Sequence, residues 1–145
     1  MPYFVLRFTL LACLLHSSAL WAIEPSVFGN VRIDEVSSIY DGDTFRVTIR
    51  AWPAVAGQRV PVRLYGIDTP EMRDKRPHVR ELARRAKQFS VAQLRNGKHI
   101  ELRQIRRDKY FRLLAEVWID NRSLGDQLIR AGLAKAYDGG TKNPW

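Results

Sequence analysis

Apolar and polar positions alternate with a period of two in several short stretches of this chain, and with a period near 3.6 in one long stretch. Val31 to Ser38 reads as a first strand that ends near Ile39 and Tyr40. Thr44-Phe45-Arg46-Val47-Thr48-Ile49 alternates as a second, and the intervening Asp41-Gly42 is a strong hairpin-turn signal. Ala51 to Gly57, punctuated by Pro53 and Gly57, reads as a loop. Arg59 to Ile67 alternates as a third strand, in which Pro61 suits an edge position or a bulge because it has no amide donor. Pro70 and Pro77 bracket a second loop. From His78 to Asn96, Val79, Leu82, Ala86, Phe89 and Leu94 recur at helical spacing. Arg80, Arg84, Arg85, Lys87 and Arg95 mostly take the other faces, and Gly97 supplies a stop. His99 to Arg103 reads as a fourth strand and Leu113 to Ile119 as a fifth. Asp120-Asn121 turns, Ser123 caps a short helix through Arg130, and Tyr137 to Trp145 is coil.

Three strands, a helix, two strands and a small helix is the order of a five-stranded OB-like barrel. The class is mainly β with helices (α+β), with one helix between strands three and four and a short C-terminal helix. Fold alone does not settle function, although such barrels often bind nucleic acids.

The 145 residues suffice for one domain. Phe4 to Leu15 is an apolar run with Arg7 its only charge, followed by the small residues Ser17, Ser18, Ala19 and Ala22. This pattern predicts a signal peptide over 1–22 and a domain over 23–145, exported to the periplasm or secreted. The run is too short for a comfortable membrane span of about 20 residues. Leu10-Leu11-Ala12-Cys13 matches a lipoprotein signal, but the apolar run continues past Cys13. That residue is the only cysteine, so disulfides are not expected to hold the exported domain.

Charge changes the picture further. The chain carries a formal net charge of +9, and the segment from Met72 to Lys109 holds 13 Lys and Arg against 4 Asp and Glu. A concentrated surplus of this kind attracts polyanions by phosphate contact and counterion release. A solvated helix face or an acidic membrane surface accounts for the charge equally well.

The acidic residues narrow the choice. Asp43-Thr44 and Asp68-Thr69 sit near the ends of different strands, with Glu71 following. Carboxylates repel one another and repel phosphate, so gathering them beside Arg63 and Arg112 implies a bound cation, with phosphate bridging cation and arginines. Oxygen ligands suit Ca²⁺ or Mg²⁺. There is no His or Cys cluster for zinc, and no Ser-His-Asp or Cys-His arrangement. Turn chemistry accounts for most of Asp41-Gly42. Asp43 is less easily explained that way, since aspartate is disfavoured at the entry to a strand.

IYDGDTFRV at 39–47, VRLYGIDTPE at 62–71, RDKYFRLLAEVW at 107–118 and LIRAGLAKAY at 128–137 resemble the staphylococcal nuclease family, in its order and with similar spacing. The resemblance implies hydrolysis of DNA and RNA with Ca²⁺ and little sequence preference, leaving 3′-phosphates. Carried over by position, Asp43 and Asp68 would ligate calcium, as would Thr69 through its carbonyl oxygen. Glu71 would act as general base or orient the attacking water, and Arg63 and Arg112 would contact the phosphate. Tyr110 and Tyr137 would stack on a base or hold a 5′-phosphate; half-buried packing explains them as readily. Arg80 and Arg84 on the basic helix are further candidates for substrate contact. The implied partners are DNA and RNA, with no stable membrane association and a monomer as the default. Phe111 departs from the family pattern, which often has glycine there. The alternatives are a catalytically weak nucleic-acid-binding domain of the same fold, and a basic module for anionic glycans or membrane surfaces. The last accounts for the charge but not for the carboxylates.

Overall fold

A computed structural model describes residues 27–145. The signal peptide expected over 1–22 lies outside the described residues. Strands β1 (Val31–Arg32), β2 (Glu35–Ile39) and β3 (Thr44–Thr48) lead to a one-turn helix α1 (Ala54–Gly57), then β4 (Val60–Leu64) and β5 (Ile67–Asp68). The long helix α2 (Pro77–Asn96) follows, then β6 (Ile100–Arg107), β7 (Leu113–Ile119), β8 (Arg122–Ser123), α3 (Leu124–Arg130) and β9 (Lys135–Ala136). The main sheet runs β1-β6-β7-β4-β3-β2, with β8 on β7; β5 and β9 form a separate pair. All pairings are antiparallel except β4 with β7. Register shifts at Val36/Ser38 and Arg103/Arg106 curl this mixed sheet into a half-barrel of the OB-like α+β class. Among the described residues, no helix is long and apolar enough to cross a membrane.

The alternating side chains do as their period requires. Phe45 and Val47 of β3, Val62 and Leu64 of β4, and Leu113, Ala115 and Val117 of β7 point into one core. Several details differ from the sequence reading. The first strand is broken after Arg32, where Asp34 turns aside and its Oδ2 accepts from the Arg50 amide at 2.7 Å. The stretch read as a loop at 51–57 contains α1, whose Gly57 is buried. The third strand stops at Leu64. Gly66 adopts φ +81°, which glycine tolerates, and the chain restarts as β5. Pro61 lies in a central strand, yet β7 pairs with β4 only from Val62 onward, so the missing amide faces a local margin.

The basic helix spans Pro77–Asn96, one residue earlier than expected, and its buried face is Val79, Ala83, Ala86, Ser90 and Leu94. Leu82 and Phe89, expected at its centre, are only partly buried. The small side chains Ala83, Ala86 and Ser90 bring α2 close to the turn before β3, and Ser90 Oγ donates to the Gly42 carbonyl at 2.6 Å. Ser123 caps α3 as expected, its Oγ accepting from the Asp126 amide at 3.1 Å.

Candidate active site

Strand register sets the floor of the site. Thr44 lies opposite Arg63 across the β3–β4 pair, and Arg63 lies opposite Leu114 across β4–β7. Arg112 stands two residues before Leu114, hence on the same face of the strand. A cleft of about 670 Å³ opens over this floor, and Asp41, Asp43, Arg63, Asp68, Thr69, Glu71, Tyr110, Arg112 and Tyr137 all line it. The structure thus gathers residues drawn from four separate stretches of sequence. Arg80 and Arg84 are not among the residues lining the cleft. Arg80 Nη1 donates to the carbonyls of Asp74 (3.0 Å) and Lys75 (2.9 Å), bracing the loop before α2. Arg84 pairs with Glu81 at 2.9 Å on the exposed side of the helix.

Asp43 is 1% exposed and is held on both oxygens. Oδ1 accepts from Thr44 Oγ1 at 3.1 Å and pairs with Arg63; Oδ2 accepts from the Thr69 amide at 2.9 Å and its hydroxyl at 2.8 Å. A buried carboxylate requires such partners. Arg63 also reaches Asp68 Oδ1 at 3.0 Å, so one guanidinium bridges the two inner aspartates. Burial lowers the pKa of Arg63, against the pull of the neighbouring aspartates. Burial raises that of Asp41, and the Arg63 charge opposes without overcoming it. Asp41 acts through the turn: its Oδ1 accepts from the Asp43 amide at 3.1 Å.

Arg112 is aimed by Asp108. The Arg112 Nε donates to Asp108 Oδ2 at 2.7 Å, while Oδ1 accepts from the amides of Tyr110 (2.8 Å) and Arg112 (3.0 Å). Burial alone would raise the Asp108 pKa, but these bonds and the Arg112 charge hold it below the ordinary carboxylate value. Tyr110 is exposed, with Lys109 Nζ 5.2 Å and Arg112 Cζ 5.4 Å from its ring centre. Tyr137 is half-buried, and its hydroxyl donates to the Gly140 carbonyl at 3.0 Å.

Lys142, which the sequence reading passed over, is the residue most changed in significance. Its Nζ lies 3.0 Å from Asp68 Oδ1 and 3.2 Å from Glu71 Oε1. Burial would lower its pKa, but its bonds to the two carboxylates raise it overall. Nothing local in Thr141-Lys142-Asn143 announces this role, because the contact crosses some seventy residues of chain. The tail is held down by Lys135 Nζ on the Pro144 carbonyl (2.5 Å) and Arg76 Nη1 on the Trp145 carbonyl (2.6 Å). Ser90 was also missed, although a serine at helical spacing among apolar positions was a usable signal.

The donor chemistry fits a hard divalent cation: Asp43, Asp68 and the Thr69 carbonyl offer only oxygen. The same carboxylates already draw the protein's own cations, Arg63 and Lys142, as a site of negative potential does. Among the described residues no three His, Cys, Asp or Glu side chains form a closed cage. An ion here would therefore retain water in its shell.

Comparison with known proteins agrees with the geometry. Residues 61–144 match the family model described as staphylococcal nuclease homologue. The chain is 31% identical over 108 residues to the thermonuclease of Staphylococcus hyicus, covering 74% of this chain and 60% of that protein. It is 33% identical over 118 residues to endonuclease YncB of Bacillus subtilis strain 168, with 78% and 52% covered. The probable endonuclease lcl3 of Pyrenophora tritici-repentis is 25% identical over 142 residues, with 82% and 52% covered. The chain thus spans about half to three fifths of the length of these curated relatives.

Proposed function

Because this chain belongs to the staphylococcal nuclease family, we propose that it is a calcium-dependent nuclease. In this reading it hydrolyses phosphodiester bonds of DNA and RNA with little sequence preference and leaves 3′-phosphates. It works as a monomer, in the periplasm or outside the cell, without stable membrane attachment. The observation that carries the proposal is the convergence of Asp43, Asp68, Glu71, Arg63 and Arg112 on one cleft.

Asp43, Asp68 and the Thr69 carbonyl would hold the ion, and the bound ion would offset charge on a phosphate oxygen. The remaining work falls to side chains. Arg112, oriented by Asp108, presents N–H donors to the non-bridging oxygens, where charge grows as water attacks phosphorus. Arg63 adds a second guanidinium once it exchanges part of its carboxylate pairing for phosphate. Glu71 takes the proton from the attacking water. The bond from phosphorus to the 5′-oxygen breaks as the new bond forms, and the departing oxygen acquires a proton from solvent. A positioned base contributes about 10²–10⁴-fold, and one charge-stabilising donor about 10²–10³-fold.

The test is incubation of purified protein with plasmid DNA and with RNA, in Ca²⁺ or in a calcium chelator, beside Glu71→Gln and Arg112→Ala. Cleavage is expected with Ca²⁺ and not with chelator, and each variant is expected to lose turnover by about 10²-fold or more while still binding. A parent protein that binds DNA tightly but never cuts it in Ca²⁺ would convert the reading to a nucleic-acid-binding module.

A further inference from the structure

Phe111 is 79% exposed, the largest exposure among the aromatic side chains described. It also has φ +63°, a left-handed conformation that costs a bulky residue steric strain and that glycine adopts freely. Among the described residues with positive φ it is the one aromatic. A phenylalanine that is both strained and unburied gains nothing from the core.

The backbone around it is nonetheless tightly fixed. The Phe111 amide donates to the Asp108 carbonyl at 3.0 Å, and Arg107 Nη1 donates to the Phe111 carbonyl at 2.9 Å. The Asp108 amide donates to the Arg112 carbonyl at 3.1 Å, and Asp108 Oδ1 receives the amides on either side of Phe111. The same Asp108 carboxylate orients the Arg112 guanidinium. One turn therefore holds an arginine that lines the cleft and, one residue before it, an exposed aromatic ring that stands outside the cleft lining.

The chemistry of the surroundings selects the occupant. Arg107 donates to the Phe111 carbonyl, and Lys109 and Arg112 stand within two residues of it in the chain, so a partner of this turn brings negative charge together with a flat, polarisable face. A protein partner docking through apolar area would need more than one ring set among cations. A polynucleotide offers both features, but only where its bases are unpaired, because in a duplex each base face is already stacked.

We propose that Phe111 is a base-stacking residue that receives the unpaired nucleotide next to the phosphate held by Arg112, and so biases the site toward single-stranded substrate. This rests on the nuclease reading above and adds to it a specificity determinant. Stacking on an aromatic side chain is sequence-tolerant, since every base has a π-face.

The experiment compares Phe111, Phe111→Gly and Phe111→Trp in a Glu71→Gln background, using fluorescence anisotropy with a labelled 12-nucleotide single strand and with the same sequence as a duplex. Loss of one stacked base corresponds to roughly 5- to 150-fold in affinity. Phe111→Gly is expected to bind the single strand about tenfold more weakly, within that range, with duplex binding little changed. Its melting temperature is expected to be no lower than the parent's, which separates lost stacking from lost folding. Phe111→Trp is expected to restore affinity, with indole emission quenched by the single strand beyond any change in the parent. Equal single-strand affinities in the glycine variant and the parent would overturn the proposal. So would equal losses on both substrates, or tryptophan emission that does not move. Plasmid and RNA cleavage by the protein with Glu71 intact reports on the nuclease reading separately. If that protein cuts while Phe111→Gly binds normally, only the stacking inference falls. If it neither binds nor cuts, both fall.

Discussion

Gly42→Ala would place a Cβ 2.9 Å from both the Ala86 Cβ and the Thr69 Cγ2, and 3.2 Å from the Thr69 Cβ. Carbon atoms in contact prefer about 3.5–4.0 Å. Neither neighbour yields easily. Ala86 is fixed by the backbone of α2, and Thr69 is β-branched with its amide and hydroxyl both committed to Asp43. The turn cannot retreat without stretching the 2.6 Å bond from Ser90 Oγ to the Gly42 carbonyl. Overpacking of this kind costs about 1–3 kcal/mol. At roughly 4 °C per kcal/mol for a domain of this size, the melting temperature should fall by about 4–12 °C. Thr69 must move relative to Asp43, and misplacement by 1 Å near reacting groups can cost about 10²-fold in rate. The assay is thermal unfolding in chelator, so that ion binding does not mask the loss, followed by kcat/KM on single-stranded DNA in Ca²⁺. Gly125→Ala is the control, because its Cβ would meet Ile67 Cγ2 at an ordinary 3.4 Å within α3. That variant should be neutral or more stable. A Gly42→Ala protein that melts within a degree of the parent and cuts at the parental rate would refute the packing argument.

Lys142→Met removes the ammonium that sits on Asp68 and Glu71, so calcium affinity measured by titration calorimetry without nucleic acid should rise several-fold; unchanged or weaker binding would mean that Lys142 does not compete with the ion. The Asp108 pKa is depressed in the folded state, so its contribution to stability is present above the unfolded value near 3.9 and is lost as pH falls through the lower folded value. Asp108→Asn should therefore lower the denaturation midpoint at pH 7, with the difference from the parent shrinking as acid protonates the parent's carboxyl. Charge reversal at the exposed Arg84 and Arg85 should flatten the salt dependence of DNA binding by about one to two units of slope, whereas an unchanged slope would mean that phosphates do not meet this face of α2. Arg80 is excluded from that test because it braces a loop.

Strand alternation and helical spacing carried most of the architecture, because each is imposed locally by burial of one face. Leu113–Ile119 and the Ser123-capped helix were read correctly for that reason. What local pattern could not convey were tertiary relations. The parallel β4–β7 pairing exempts Pro61 from the rule for central strands. The close approach of α2 selects small residues over Leu82 and Phe89 for its buried face. Gly42 illustrates the same point: the turn signal was real, yet its φ is not positive, and the glycine is required by the space between α2 and Thr69. Asp43 was legible because an aspartate entering a strand is anomalous in sequence alone. Lys142 was not, since an isolated lysine in a polar tail breaks no local rule.

The β5–β9 pair has a consequence for timing. Ile67 and Asp68 lie outside the main sheet, and their backbone partners are Ala136 and Lys135. A chain emerging from a ribosome delivers Asp43, Arg63 and Asp68 well before those partners exist. Until they arrive, β5 has no strand to align it, and Asp68 is not held against Arg63 by the sheet. The Asp68 edge of the cleft is thereby completed only after Lys135 and Ala136 have been added, some seventy residues later in the chain.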